Sequence, residues 1–195
     1  MKTIVTKLFE TYDQAQRAVR DLEDGGVSHN DISIVASNAD GKVRIESSDR
    51  GKGTGATVGA LAGGAVGLLT GLGLMAIPGV GPVVAAGWLV AAGGGAVVGA
   101  GAGGLVGALA DHGISKDDAE VYAESLRRGG ALVAVRADND NEEFARAEEI
   151  LSRHSTIDVE ERATAYRASG WRGFDPNSTG PYAPTEEEIR RDRRV

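Results

Sequence analysis

Few residue patterns in this 195-residue chain could support chemistry, and each has a plainer physical reading. Gly99-Ala100-Gly101-Ala102-Gly103-Gly104 fits the G-x-G-x-x-G spacing that lets a backbone approach a pyrophosphate at a helix start. No β-prone strand precedes it, and in so glycine-rich a segment chance supplies the match. Gly51-Lys52-Gly53 lacks the Ser or Thr and the upstream glycine of a phosphate loop. Asp138-Asn139-Asp140-Asn141 begins like a calcium loop, but Glu143 stands where glycine must turn the chain. His29, His112 and His154 are isolated, with no ligand spacing between them. Acids cluster at helix starts and Arg127-Arg128 at a helix end, where the helix dipole accounts for both. The chain has no cysteine, so disulfides and thiolate metal sites are excluded and a reducing cytoplasm fits. The expectation is a protein that is not an enzyme, with no catalytic residue, cofactor or metal.

The patterned residues are glycines, and they point to association. Between Lys52 and Asp111 there is no charge, and 19 of the chain's 29 glycines lie between Gly53 and Ala110. Gly55, Gly59, Gly63, Gly67 and Gly71 recur every four residues, as do Gly95, Gly99, Gly103 and Gly107. Residues four apart share a helix face, so each ladder leaves a bare stripe that another backbone can approach closely. Pro78-Gly79-Val80-Gly81-Pro82 separates the ladders as a turn between two helical arms. The net charge of −7 disfavours nucleic acid as a partner.

Around this block the hydrophobic periodicity reads as an α+β domain in two halves. Thr3 to Phe9 is β-prone, and Thr11-Tyr12-Asp13-Gln14 is a capping box. Ala15, Ala18, Val19 and Leu22 make a helical stripe that ends at Gly25-Gly26. Ile32, Ile34 and Val35 give a strand, and Asp40-Gly41 a hairpin signal with Val43 and Ile45 alternating after it. Beyond the block, Ser115-Lys116-Asp117-Asp118 caps a helix ending at Gly129-Gly130. A strand from Ala131 to Ala137 follows, then a helix capped by Asp140 or Asn141 carrying Phe144, Ala147, Ile150 and Leu151. Thr156 to Glu161 reads as a last strand, with Ile157 and Val159 inward. Two β-α-β units, 3–37 and 131–162, pack as a ferredoxin-like α/β sandwich with both helices on one face.

The expected organisation is therefore residues 1–50 as the first half of the domain and 51–112 as an uncharged helical hairpin. Residues 113–162 supply a helix and the second half, and 163–195 an extended tail with a short terminal helix. Each arm of the hairpin, at about 25 residues, would be roughly 37 Å long, enough for a bilayer core of about 30 Å. Against a membrane stand the modest hydrophobicity of Gly and Ala and a turn with no polar side chain. Glycine in an exposed helix costs about 1 kcal/mol relative to alanine, so the hairpin needs packing against lipid or other copies. Val58, Leu61, Leu68, Val83, Val84, Trp88 and Leu89 cannot all hide between two arms. Trp171, Phe174 and Tyr182 in the tail are expected to dock, on the domain or on a neighbour. Arg190, Arg191, Arg193 and Arg194 read as a solvated helix face. Met1 to Lys7 has no apolar run or small-residue cleavage site, so no signal peptide is expected.

The chain resembles the bacterial heat-induced or general stress proteins, whose small α/β domain carries a glycine-zipper insertion. The resemblance rests on Ala76-Ile77-Pro78-Gly79-Val80-Gly81-Pro82-Val83-Val84-Ala85-Ala86-Gly87 and Lys116-Asp117-Asp118-Ala119-Glu120. Arg127-Arg128-Gly129-Gly130-Ala131-Leu132-Val133-Ala134-Val135 and the tail Ser169-Gly170-Trp171-Arg172-Gly173-Phe174-Asp175-Pro176 extend it. It implies a stress-induced protein, often labelled a membrane protein, with no assigned chemistry. The expected function is stress response through self-association, with the glycine helices in a membrane or inside a homo-oligomer. The alternative is a membrane-anchored α/β domain that senses a small molecule or stress. The expected partners are copies of itself or a lipid bilayer. The expected location is the cytoplasm, or the inner membrane with the α/β domain on the cytoplasmic side.

Overall fold

The computed structural model describes residues 2–39, 41, 73–77, 79–89, 104–138, 142–155 and 157–175. The element order is β1 (Lys2–Phe9), α1 (Tyr12–Asp24), β2 (Ile32–Ser37), β3 (Gly73–Ile77), β4 (Gly81–Gly87), α2 (Gly104–Ala110), α3 (Lys116–Arg127), β5 (Ala131–Asp138), α4 (Glu142–His154) and α5 (Val159–Ala168). Local signals place several of these. The Thr11 side chain accepts from Gln14 N at 3.3 Å, while Gln14 Oε1 accepts from Glu10 N at 3.2 Å. Ser115 caps α3 through Asp118 N at 3.1 Å. Gly26 and Gly129, with φ of 86° and 103°, end α1 and α3.

The strands form one antiparallel sheet in the order β1-β5-β2-β4-β3. Successive side chains alternate between its faces, and helices cover both. Ala15, Ala18, Val19 and Leu22 of α1 pack with Ala147, Ile150 and Leu151 of α4 on one face. That face presents Val5, Phe9, Ile34, Val84, Val133 and Val135. Leu105, Val106 and Leu109 of α2 and Tyr122, Ala123 and Leu126 of α3 cover the other, over Ile4, Leu8, Val35, Val83, Ala85 and Leu132. α5 lies outside α3, with Ala163 and Tyr166 against Val121. Each fully buried Leu or Val contributes about 1.5–3 kcal/mol.

The first β-α-β half and the placement of α1 and α4 on one face agree with the sequence reading. Two elements do not. The expected strand Thr156 to Glu161 does not close a ferredoxin-like sheet over its described residues, 157–161. The Asp158 side chain accepts from Glu161 N at 2.9 Å and caps α5 instead. Val159, Ala163 and Tyr166 recur at helical spacing, and the alternation of Ile157 with Val159 is too short to outweigh it. The Ser155 hydroxyl donates to Leu8 O, so the chain crosses the end of β1 rather than pairing along it.

The second correction concerns the uncharged block. Where two helical arms are expected to meet, residues 73–87 form the β-hairpin β3–β4. Gly79 and Gly81 take φ of 76° and 99°, which a hairpin turn accepts and a helix does not. β4 pairs with β2 from Ser33↔Gly87 to Ser37↔Val83 and is buried on both faces. Val83 and Ala85 join one core, Val84 and Ala86 the other. A strand covered on both sides accounts for the unbroken apolar run of Val83 to Ala86. Trp88 and Leu89 are also core residues. No helix among the described residues is long and apolar enough to cross a membrane.

Candidate association surface

The association residues expected from the sequence are placed unevenly. Gly55, Gly59, Gly63, Gly67, Gly71, Gly95, Gly99 and Gly103 lie outside the described residues, as do Pro78 and Tyr182. Gly107 lies on α2, whose Leu105, Val106 and Leu109 are buried. A Cβ built on Gly104 or Gly107 would meet nothing within 4 Å. Among the described residues nothing requires glycine at either position, and each glycine weakens the helix by about 1 kcal/mol relative to alanine.

β3 is the outer strand on its side of the sheet among the described strands. The register pairs Leu74 with Val84 and Ala76 with Pro82, which puts Leu74, Ala76 and Pro82 on the face that α1 and α4 cover elsewhere. All three are exposed, Leu74 to 63%. No residue of β3 or β4 carries a charge. The opposite edge differs: β1 carries Lys2 and Lys7, and Ser155 and an Arg162–Glu10 ion pair lie at its end.

The described part of the tail docks on its own domain. Trp171 meets Tyr166 edge-on, with ring centroids 6.0 Å apart. Phe174 packs on the α3 side of the core, and its N–H donates to Glu120 Oε2 at 3.2 Å. These two aromatics fasten the chain after α5 to α3.

Beneath them lies a buried charge cluster. Glu124, 1% exposed, accepts from Arg127 Nε and Nη2 at 2.8 Å each and from Arg128 Nε at 2.6 Å. Arg128 also sits 4.2 Å over the Tyr166 ring, and the Tyr166 hydroxyl is 2.9 Å from Ser125 Oγ. Burial pushes the Tyr166 phenol above its ordinary value, opposed by the Ser125 hydrogen bond and the charges of Arg162 and Arg128. The sequence reading explains Arg127-Arg128 by the helix dipole alone. Their spacing of three and four from Glu124 is the signal for this ion cluster. Its chemistry is structural, because the carboxylate is fully engaged.

A second cluster joins residues distant in sequence. Trp88 lies 4.7 Å from the His112 ring and 4.9 Å from the Arg136 guanidinium. Arg136 Nη2 donates to Asn30 O at 2.9 Å and stands 3.2 Å from Asp31 Oδ1. No spacing rule could link these positions. The histidines stay apart: His112 Nδ1 bonds Ala108 O at 2.9 Å, and His154 Nε2 meets Asp21 at 2.7 Å. Among the described residues no three His, Asp or Glu side chains are placed to hold a metal. Glu23 at the end of α1 is unusual, because both its oxygens are buried without a hydrogen-bond partner. Burial raises its carboxyl above the ordinary 4.5, with the His29 charge opposing.

The described residues thus form an antiparallel sheet covered by helices on both faces and apolar through its β3–β4 hairpin. Residues 4–78 match the family model of the heat induced stress protein YflT domain, and the resemblance to the heat-induced, general stress proteins of bacteria holds on that segment. The match runs from β1 to the end of β3. No curated protein and no solved structure matches the chain.

Proposed function

We propose that this chain is a non-enzymatic stress-response protein that acts by associating with copies of itself through its uncharged glycine-rich stretch. The stress-response part rests on the YflT domain match. The self-association part rests on Gly104 and Gly107: both sit in α2 with open space where a side chain would project. Glycine at such positions lowers helix stability, and no described residue fills the space where a side chain would stand. A second backbone approaching that stripe supplies the missing reason, and Gly103, Gly99 and Gly95 continue the spacing in the sequence.

Gly107→Leu tests this directly. The substitution has room in the fold, so circular dichroism and the urea midpoint should show a folded protein. Light scattering across a concentration series should show a smaller mass than the parent. An unchanged mass, or a parent that is monomeric throughout, would overturn the proposal. The surface is proposed to meet protein rather than lipid. Carbonate-washed membranes should therefore release the protein, and retention would favour a lipid partner instead.

A further inference from the structure

α5 belongs to neither helical layer of the sheet. Of its ten residues only Ala163 and Tyr166 are buried, and they meet Val121 of α3 in a cluster separate from the two that hold the sheet. Half-buried Ile157 and Val159 at its start, and Phe174 beyond its end, pack against the α3-side core. Its other ties among the described residues are polar. The Tyr166 hydroxyl meets Ser125 Oγ at 2.9 Å, Arg128 Nη2 donates to Ser169 Oγ at 3.4 Å, and Arg162 pairs with Glu10. Phe174 N donates to Glu120 Oε2 at 3.2 Å. We infer that residues 157–175 form a strap that lifts off α3 as a unit while the sheet and helices α1 to α4 stay folded.

The surface under the strap carries the argument. Beside Val121, α3 presents Glu124, Ser125 and Arg128 to Tyr166. Glu124 is held 1% exposed among two guanidiniums. Charged groups give up hydration when covered, so release returns part of what the lost apolar contact costs. The opposite face of α3, with Tyr122, Ala123 and Leu126, stays seated on the sheet without α5. Each helix also closes its own ends. Ser115 caps α3 and Gly129 stops it; Asp158 caps α5, and Trp171 N donates to Tyr166 O beside Gly170 at φ of 93°. Separation therefore breaks side-chain contacts and the Phe174 N bond, not the ladder of either helix. Release brings Glu124, Arg127 and Arg128 to water, a charged face that the closed form conceals.

A ten-residue helix is marginal alone in water, so a released α5 loses its amide protection. Native-state hydrogen exchange on the whole, unmodified chain, read by mass spectrometry, tests this. Amides of residues 159–174 should exchange as one group, at least about tenfold faster than those of α3 and β5, and at a rate that low urea barely changes. The α3 and β5 amides should accelerate with urea as global unfolding does. Equal rates and equal urea dependence in α5 and α3 would overturn the strap. So would α5 amides with no protection, which would mean that the segment is never docked.

Thiol labelling reads the same event, because the chain has no native cysteine. Ala163→Cys lies on the covered face of α5 and Ala123→Cys on the sheet side of α3, at positions 5% and 0% exposed. A thiol reagent should modify the first at least about tenfold faster than the second in native buffer. Equal labelling of the two folded variants would refute release. A monomer would show the same behaviour, so the outcome is independent of association through the glycine stripe.

Discussion

Gly87 is where β4 leaves β2, and replacing it with alanine tests whether this sheet order is right. Its φ is +93°, a left-handed conformation that costs an L side chain about 1–2 kcal/mol. The added Cβ would stand 2.2 Å from Ile32 O and 2.7 Å from Ser33 Cα, both backbone atoms of β2. No rotamer relieves such a contact, so the end of the Ser33↔Gly87 pairing must open. Overpacking of this kind adds about 1–3 kcal/mol, for a total near 2–5 kcal/mol. Gly113→Ala is the control. Its φ is +92° but its Cβ would meet nothing within 4 Å, so only the conformational part applies. Urea unfolding followed by circular dichroism measures both, and with a slope of about 1–3 kcal/mol per molar the Gly87 midpoint should fall by at least about 0.7 M. Equal losses in the two variants, within about 0.5 kcal/mol, would refute the close approach of β4 to β2. The β3 edge would lose its support with it.

Two other outcomes follow from the buried charges. Glu124→Ala should cost about 3 kcal/mol in urea unfolding, because two guanidiniums lose a fully engaged carboxylate. Arg127→Ala should cost clearly less, since Arg128 still serves Glu124; equal costs would argue against the shared ion cluster. At Glu23, burial raises the folded carboxyl above its ordinary 4.5, so its contribution is fully present below that pH and lost as pH rises through the raised value. The stability of the parent should therefore decline relative to Glu23→Gln between pH 4 and neutrality. A constant difference across that range would mean that Glu23 ionises in the folded protein as it does in the unfolded chain.

Local rules are written plainly in much of this chain. Thr11 and Ser115 as caps, Gly25-Gly26 and Gly129-Gly130 as stops, and the stripes of α1, α3 and α4 all depend on neighbours a few residues away. The misreadings occur where a distant partner sets the answer. In Gly81–Gly87 an unbroken apolar run suits a buried helix or a strand covered on both faces, and β2 together with both helical layers selects the strand. Near Asp158 two periodicities overlap, and the hydrogen bond from Glu161 N together with the seat for Tyr166 on Val121 selects the helix.

The association reading divides in the same way. Glycine spacing, the lack of charge from Gly53 to Ala110 and the absence of cysteine are properties of the chain itself, and they bound what it can do before it folds. Folding assigns the exposed and buried roles. It carries Val83, Val84, Trp88 and Leu89 into the interior, leaves Leu74 and Ala76 at an edge, and fastens Trp171 and Phe174 to α3. Short-range hydrogen bonds and turn conformations can be read along the backbone. Whether an apolar residue meets protein or water depends on segments brought beside it from elsewhere in the chain, and no local pattern encodes that.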